Sequence, residues 1–390
     1  MNPVKNPFVP GAGSQPPELA GRDIILSDAT IAIQRALAGK NTQSQILLGL
    51  RGVGKTVLLN QIEKIAAQNG HLTSIIEAPE DKRLVELLYP RIAQTLRKLS
   101  LIEQSKTTAY SAMRALRSFA AVFKIEFGDI SISVDADPGV ADSGNLEFDL
   151  AELFVKVGEA AKAAGKGWTL LIDEIQYIKV ADYAALIVAV HRVNQLGLPV
   201  LFFGAGLPQV AALSGDAKSY AERLFVYPSV GALDKKSAEL AIRAPVEEEG
   251  ESINDNAIAA IISKTHGYPY FLQEWGYQVW NIAESSPISL GNVDQSSEKA
   301  IARLDDGFFK VRFDRLTPAE REYVCTMAKL GDGPYRSGDI ADAMHRQAQR
   351  LGPMRASIIK KGMIYSPSHG DIDFTVPLFA DYLRRRWLVT

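Results

Sequence analysis

Two groups of residues in this chain have the types and spacing to grip a polyphosphate and its metal. The first is Gly49-x-x-x-x-Gly54-Lys55-Thr56, the full Walker A pattern, preceded by the apolar run Ile46-Leu47-Leu48 and followed by Val57-Leu58-Leu59. That order reads as a buried strand, a glycine loop and an apolar helix start. Gly49, Gly52 and Gly54 let the backbone curl until several N–H groups, Val53 among them, face one phosphate. The helix start at Gly54–Val57 adds the partial positive charge of its N-terminus. Lys55 supplies a point charge for the β- and γ-phosphates, and Thr56 a hydroxyl suited to Mg²⁺. The second group is Trp168-Thr169-Leu170-Leu171-Ile172-Asp173-Glu174, an apolar strand ending in two acids. Asp173 is placed to hold the Mg²⁺ shell, and Glu174 to polarise an attacking water, with Gln176 near enough to help position it. A chance glycine turn, or a solvated acidic turn, would not come with these flanking apolar runs.

Such residues need a scaffold. Strand patterns recur at 45–48, 71–76, 168–173, 199–203 and 224–228, alternating with helical patterns. This predicts a doubly wound α/β fold of the P-loop NTPase type, with a parallel sheet that binds ligands at its carboxyl edge. The chain divides by pattern into an extended Pro/Gly-rich arm (1–18), a nucleotide-binding core (19–231), an all-helical unit (232–307) and a terminal unit (308–390). The core is interrupted by an insertion at about 105–147. There Phe123–Phe127 and Ile130–Val134 flank Gly128-Asp129 as a hairpin signal, followed by an Asp/Gly/Pro-rich stretch to Asn145 expected to be mobile. A helix at 80–99 is expected to be broken or kinked near Pro90.

In the terminal unit, Thr317-Pro318-Ala319-Glu320 is a capping box with proline at the first helical position. Two more helices and a 363–376 hairpin give winged-helix order. Residues 310–390 carry 14 Lys/Arg against 9 Asp/Glu in a chain of net charge −2. Arg346, Arg350, Arg355, Lys360 and Lys361 cluster around the third helix, and Arg384-Arg385-Arg386 follow. Duplex DNA is the partner this asymmetry favours, with protein docking as the alternative.

Composition sets limits. The 390 residues are 47% hydrophobic and 23% charged, an ordinary globular balance. The single cysteine, Cys325, rules out an internal disulfide framework and sits in an amphipathic helix as a packed thiol. No apolar run approaches the ~20 residues of a membrane span, and the N-terminus lacks a signal core, so a cytoplasmic protein is expected.

With both motifs and the domain order in hand, residues 19–390 resemble the branch of the AAA+ superfamily holding archaeal-type ATPases, archaeal origin-recognition initiators and STAND signalling NTPases. The resemblance implies an ATPase with ATP and Mg²⁺ as ligands and no membrane role. It further implies that Arg22, in Gly21-Arg22-Asp23, borders the nucleotide base. Pro269, in Gly267-Tyr268-Pro269, would lie over the adenine as in the STAND lid; by its residues alone that stretch reads as a plain helix boundary. Arg223 stands where an arginine finger is expected, which would make the protein self-associate; Arg192 and Lys218 compete for that role. The chain departs from the family at Gly204-Ala205-Gly206, where a polar sensor is common, so phosphate sensing has no assigned residue. A small-molecule kinase is disfavoured, because no acceptor domain is evident.

Overall fold

The computed structural model describes residues 1–11, 13–125, 139–368 and 370–388. They form two compact units. One comprises residues 23–49 and 55–230; the other comprises 1–22, 50–54 and 231–390.

The first unit is built on five parallel strands: β1 (Ser44–Leu48), β2 (His71–Glu77), β3 (Gly167–Asp173), β4 (Val200–Gly206) and β5 (Phe225–Val226). Their order across the sheet is β2-β3-β4-β1-β5. This is the expected P-loop α/β architecture. Every residue of β3 and β4 is buried, which explains their continuous apolar runs. Alternation along β3 splits them between two faces. Trp168, Leu170 and Ile172 join the core under helices Leu84–Ser100, Lys106–Val122, Leu146–Ala163 and Val180–Gln195. Leu171 faces the other way, the side of the Lys55–Gln68 helix. Register sets the carboxyl edge: Leu48 pairs with Gly206, and Glu77 with Asp173.

Two expectations in this unit are corrected. The helix through Pro90 does not break; it runs from Leu84 to Ser100. Nine of its residues are buried on both sides of the proline. At ~1.5–3 kcal/mol for each large apolar side chain, that burial outweighs the ~3 kcal/mol cost of an internal proline. The Asp/Gly-rich stretch, where described, is tied down. The main-chain N–H of Ala141 donates to Glu152, and those of Ser143 and Gly144 to the fully buried Asp149. Asn145 caps the Leu146–Ala163 helix. The expected hairpin falls on residues 126–134, outside the described residues.

The second unit contains helices Lys235–Glu248, Asp255–Thr265, Pro269–Ile282 and Leu290–Arg303, the last passing into a π-helical turn, Leu304–Phe309. Then come helices Pro318–Lys329, Ser337–Ala343 and Ala348–Lys360 and the antiparallel sheet β6-β8-β7 (Tyr335–Arg336, Asp371–Phe374, Ile364–Tyr365). The capping box forms as expected: Thr317 and Glu320 satisfy each other's backbone N–H. Cys325 is half-buried and unpaired in a disulfide sense, and burial pushes its thiol up. The N-terminal arm is seated rather than loose. Asn6 donates to Tyr277 O and Asn281, Trp280 Nε1 donates to Asn2 O, and the Phe8 ring lies on Gly276, where a Cβ would meet it at 2.5 Å. No helix among the described residues is long and apolar enough to cross a membrane.

Candidate active site

In the first unit, the carboxyl ends of β1 and β3 bring the two motifs together. Gly49 donates its N–H to Gly206 O at 3.1 Å, holding the loop start at the end of β4. Lys55, 7% exposed at the first turn of its helix, donates from Nζ to Gly49 O at 2.9 Å. Thr56 Oγ1 donates to Asp173 Oδ2 at 2.5 Å. Burial raises the Asp173 carboxyl above its ordinary range, and Glu174 adds to that; the Thr56 hydroxyl and Lys55 work against it. Val57 is half-buried beside them. Glu174 takes a left-handed backbone, φ 55°, which turns it out of the strand, and its main-chain N–H donates to Asp173 Oδ1 at 2.8 Å. Gln176 Nε2 donates to Glu174 Oε2, and Gln176 Oε1 accepts from Leu207 N at 3.2 Å.

The tip of the glycine loop, residues 50–54, packs within the second unit. There its carbonyls accept hydrogen bonds one after another. Tyr268 Oη donates to Arg51 O, Tyr270 N to Gly52 O at 3.2 Å, and Arg22 Nη2 to Val53 O at 3.3 Å. A trans peptide places N–H opposite C=O. Three carbonyls held outward therefore turn the N–H groups of Gly52, Val53 and Gly54 the opposite way. Gly52 and Gly54 have φ of +83° and +94°, and nothing lies within 4 Å of a Cβ built on Gly54. That is an open cradle lined by amides, the donor set a phosphate requires.

Arg22 is 8% exposed and also donates to Gly231 O at 2.6 Å. Burial lowers its pKa, and Asp234 partly offsets this. Its contacts here brace backbone. Pro269 opens its helix, but its neighbours Tyr268 and Tyr270 make the loop contacts, and sequence reasoning missed both. Burial raises the Tyr268 phenol. The signal available was the aromatic pair flanking the proline. Arg51 N also donates to Thr375 O at 3.4 Å. The Arg51 guanidinium lies on Gly362, and Arg312 stacks on Phe308 at 3.8 Å. Burial and then Arg51 bring Arg312 down to about 10.

Of the arginine-finger candidates, Arg223 is exposed at the end of helix Ala221–Leu224. Arg192 is exposed near the end of helix Val180–Gln195. Lys218 is held by Glu147 at 2.8 Å, an ion pair that accounts for it structurally. The expected basic cluster is largely engaged. Lys361 bonds Glu320 at 2.6 Å, Arg355 bonds Ser337 at 2.8 Å, and Arg346 pairs with Glu322 at 3.2 Å. Arg350 and Lys360 are exposed. The 384–386 run is paired while still reaching solvent: Arg384 pairs with Asp332 and Asp381, and the exposed Arg385 and Arg386 with the buried Asp305.

Residues 18–203 match the family described as the AAA ATPase domain, and residues 306–383 match a domain of unknown function, DUF8462. No curated protein matches the chain in sequence. Among solved structures, the Walker-type ATPase PABY2304 of Pyrococcus abyssi is similar at a TM-score of 0.60 and 15% identity, covering 95% of this chain and 97% of that one. The Aeropyrum pernix ORC1 protein, solved in complex with DNA, reaches a TM-score of 0.48 at 15% identity, covering 95% and 94%. A Thermotoga maritima RuvB variant reaches a TM-score of 0.47 at 15% identity, covering 94% of this chain and 96% of that one. At these identities the likeness concerns the fold.

Proposed function

We propose that this chain is an AAA+ ATPase that works as a switch in which bound ATP governs the C-terminal module, a winged helix at 308–390 that contacts duplex DNA; the match of residues 18–203 to the AAA ATPase domain supports the reading. The observation that carries this is the loop 50–54. Its carbonyls bind the 268–270 segment, and Arg51 N binds Thr375 in the C-terminal segment, while its amides line the phosphate cradle. A change in the loop is thereby a change in the contacts of the unit that holds both segments.

Gly49 and Gly52–Val57 hold the triphosphate, and Lys55 neutralises its terminal charge. Thr56 and Asp173 present a hydroxyl and a carboxylate at one point, a hard-oxygen pair that fits Mg²⁺ completed by water and phosphate oxygens. Mg²⁺ held by Thr56 and Asp173 would supply charge neutralisation for the phosphoryl oxygens. Glu174 accepts the proton of the attacking water. Arg22 and Pro269 border the base, and Arg223 of a neighbouring copy serves as the arginine finger.

ATP turnover tests the reading. Lys55→Ala should lose nucleotide affinity, whereas Glu174→Gln should keep it and lose ~10²–10⁴-fold in rate, the range of a general base. Equal turnover in all three proteins would remove these assignments. Exchanging Arg223 for alanine should slow an assembled protein, and mixed assemblies with Glu174→Gln should recover partial activity.

A second reading is favoured by one specific observation. The basic residues of the C-terminal unit are mostly paired, which suits a STAND-like switch that docks protein. Duplex binding measured against salt separates the two. DNA contact through Arg350 and Lys360 predicts a steep loss of affinity with salt, abolished by Arg350→Glu with Lys360→Glu. Salt-insensitive or absent binding supports the docking module.

A further inference from the structure

We infer that Gln176 is a positioning residue for hydrolysis, holding the Glu174 carboxylate against the end of β4 in place of the polar side chain that β4 itself lacks. The inference rests on Glu174 as the water-activating group proposed above.

Four observations converge. Gln176 is joined at both ends of its carboxamide, to Glu174 Oε2 through Nε2 and to Leu207 N through Oε1. The amide's orientation follows from chemistry. Leu207 N–H can only donate, so the oxygen must face it, and the NH₂ is left to face the carboxylate. Second, β4 ends in Gly204-Ala205-Gly206, and the glycines make room. A Cβ on Gly206 would stand 3.0 Å from Gln176 Oε1 and 2.7 Å from Val210, and one on Gly204 would stand 2.1 Å from Ile175. The 175–177 turn therefore sits where side chains of β4 would otherwise project. Third, Glu174 adopts φ 55°, a conformation that non-glycine residues keep only where their surroundings hold it. Fourth, the same strand end is fixed to the glycine loop through Gly49 N and Gly206 O. The carboxamide thus links the carboxylate to the strand end that anchors the loop start.

A carboxylate left to rotate would face the attacking water only part of the time. Gln176 removes that freedom without touching the nucleotide, so its loss should act on kcat and not on ATP binding. The test compares wild type, Gln176→Ala and Gln176→Glu. Each is assayed for kcat and KM with ATP and Mg²⁺, for affinity toward a fluorescent ATP analogue, and for melting temperature. Gln176→Ala should lower kcat by about ten- to a hundredfold, with analogue affinity within about twofold of wild type. Gln176→Glu keeps an acceptor toward Leu207 N and guards against a folding failure of the alanine variant. It sets a second carboxylate against Glu174 and should be at least as slow. Gln176→Asn, with the carboxamide on a shorter stem, should recover part of the rate. A wild-type or faster kcat in Gln176→Ala overturns the inference, as does a fall in kcat matched by an equal loss of analogue affinity. A wild-type rate no greater than that of Lys55→Ala removes the hydrolytic reading and this inference with it.

Discussion

His71 shows how one buried side chain can set a pH limit on the fold. It is 4% exposed, with Nδ1 at 2.9 Å from Thr169 Oγ1 and Nε2 at 3.1 Å from Ile33 O. Burial depresses it to about 4, against which the Ile33 carbonyl pulls only weakly. The folded protein therefore keeps His71 neutral where an unfolded chain, with the ordinary value of 6.5, takes up a proton. Stability from this residue is complete above pH 6.5 and drains away as pH falls toward 4, by about 3 kcal/mol in all. Denaturant unfolding at pH 7 and pH 4.5, in wild type and His71→Gln, should show a steeper acid loss in wild type. Parallel pH dependence in the two would refute it. Glu320 acts in the same direction over a lower pH range. Burial alone would raise its carboxyl, but Lys361, Ser357 and Thr317 bring it down to about 2. Its contribution is full above pH 4.5 and lost as pH falls toward 2. Glu320→Gln at pH 7 should lower stability by about 2 kcal/mol, read by the loss of structure in residues 314–376 on hydrogen exchange.

The glycine-loop tip, residues 50–54, belongs to the unit that holds Tyr268 and Tyr270. Gly52 has φ +83°, and a Cβ there would meet Tyr268 at 3.1 Å and Tyr270 at 3.3 Å. Gly52→Ala should cost about 1–2 kcal/mol of stability and weaken ATP binding at least tenfold, measured by analogue titration. Unchanged affinity would mean that the loop does not need its outward grip. Gly54→Ala meets no neighbour, so its effect should appear in phosphate binding and backbone strain alone. The motif residues were legible because phosphate chemistry demands particular residue types at short spacing. The five strands were legible because a buried parallel sheet writes continuous apolar runs. Tyr268 and Tyr270 were not, because their partners lie over two hundred positions away and a proline at a helix start looks ordinary. Neither could the pairing of Arg384, Arg385 and Arg386 be read: a basic run looks the same whether it faces solvent or a buried aspartate such as Asp305. The uninterrupted Leu84–Ser100 helix was hidden for a related reason, since packing over its whole length overrode a local propensity.

At the scale of the molecule, two units with separate cores should unfold as more than one transition. ATP with Mg²⁺ should raise the transition of the unit that holds Lys55 and Thr56, by about 2.7 kcal/mol at a hundredfold excess over Kd. Calorimetry of wild type and Lys55→Ala checks this: the variant should lose the shift, and a wild-type transition that ATP leaves in place would count against binding there. The arm makes a second test. Phe8, 2% exposed, rests on Gly276, so Phe8→Ala should lower the stability of the unit containing residues 231–390 by about 3 kcal/mol and leave the other transition in place.

The arm's seat on the helix Pro269–Ile282 has a temporal meaning as well. A ribosome adding about 5–20 residues per second makes Phe8 about 13–54 seconds before Gly276. Through that interval the phenylalanine has no seat, while the sheet from Ser44 to Val226 can already be translated in full. A nascent chain of this kind would carry the Phe8 ring uncovered until the Pro269–Ile282 helix has been made.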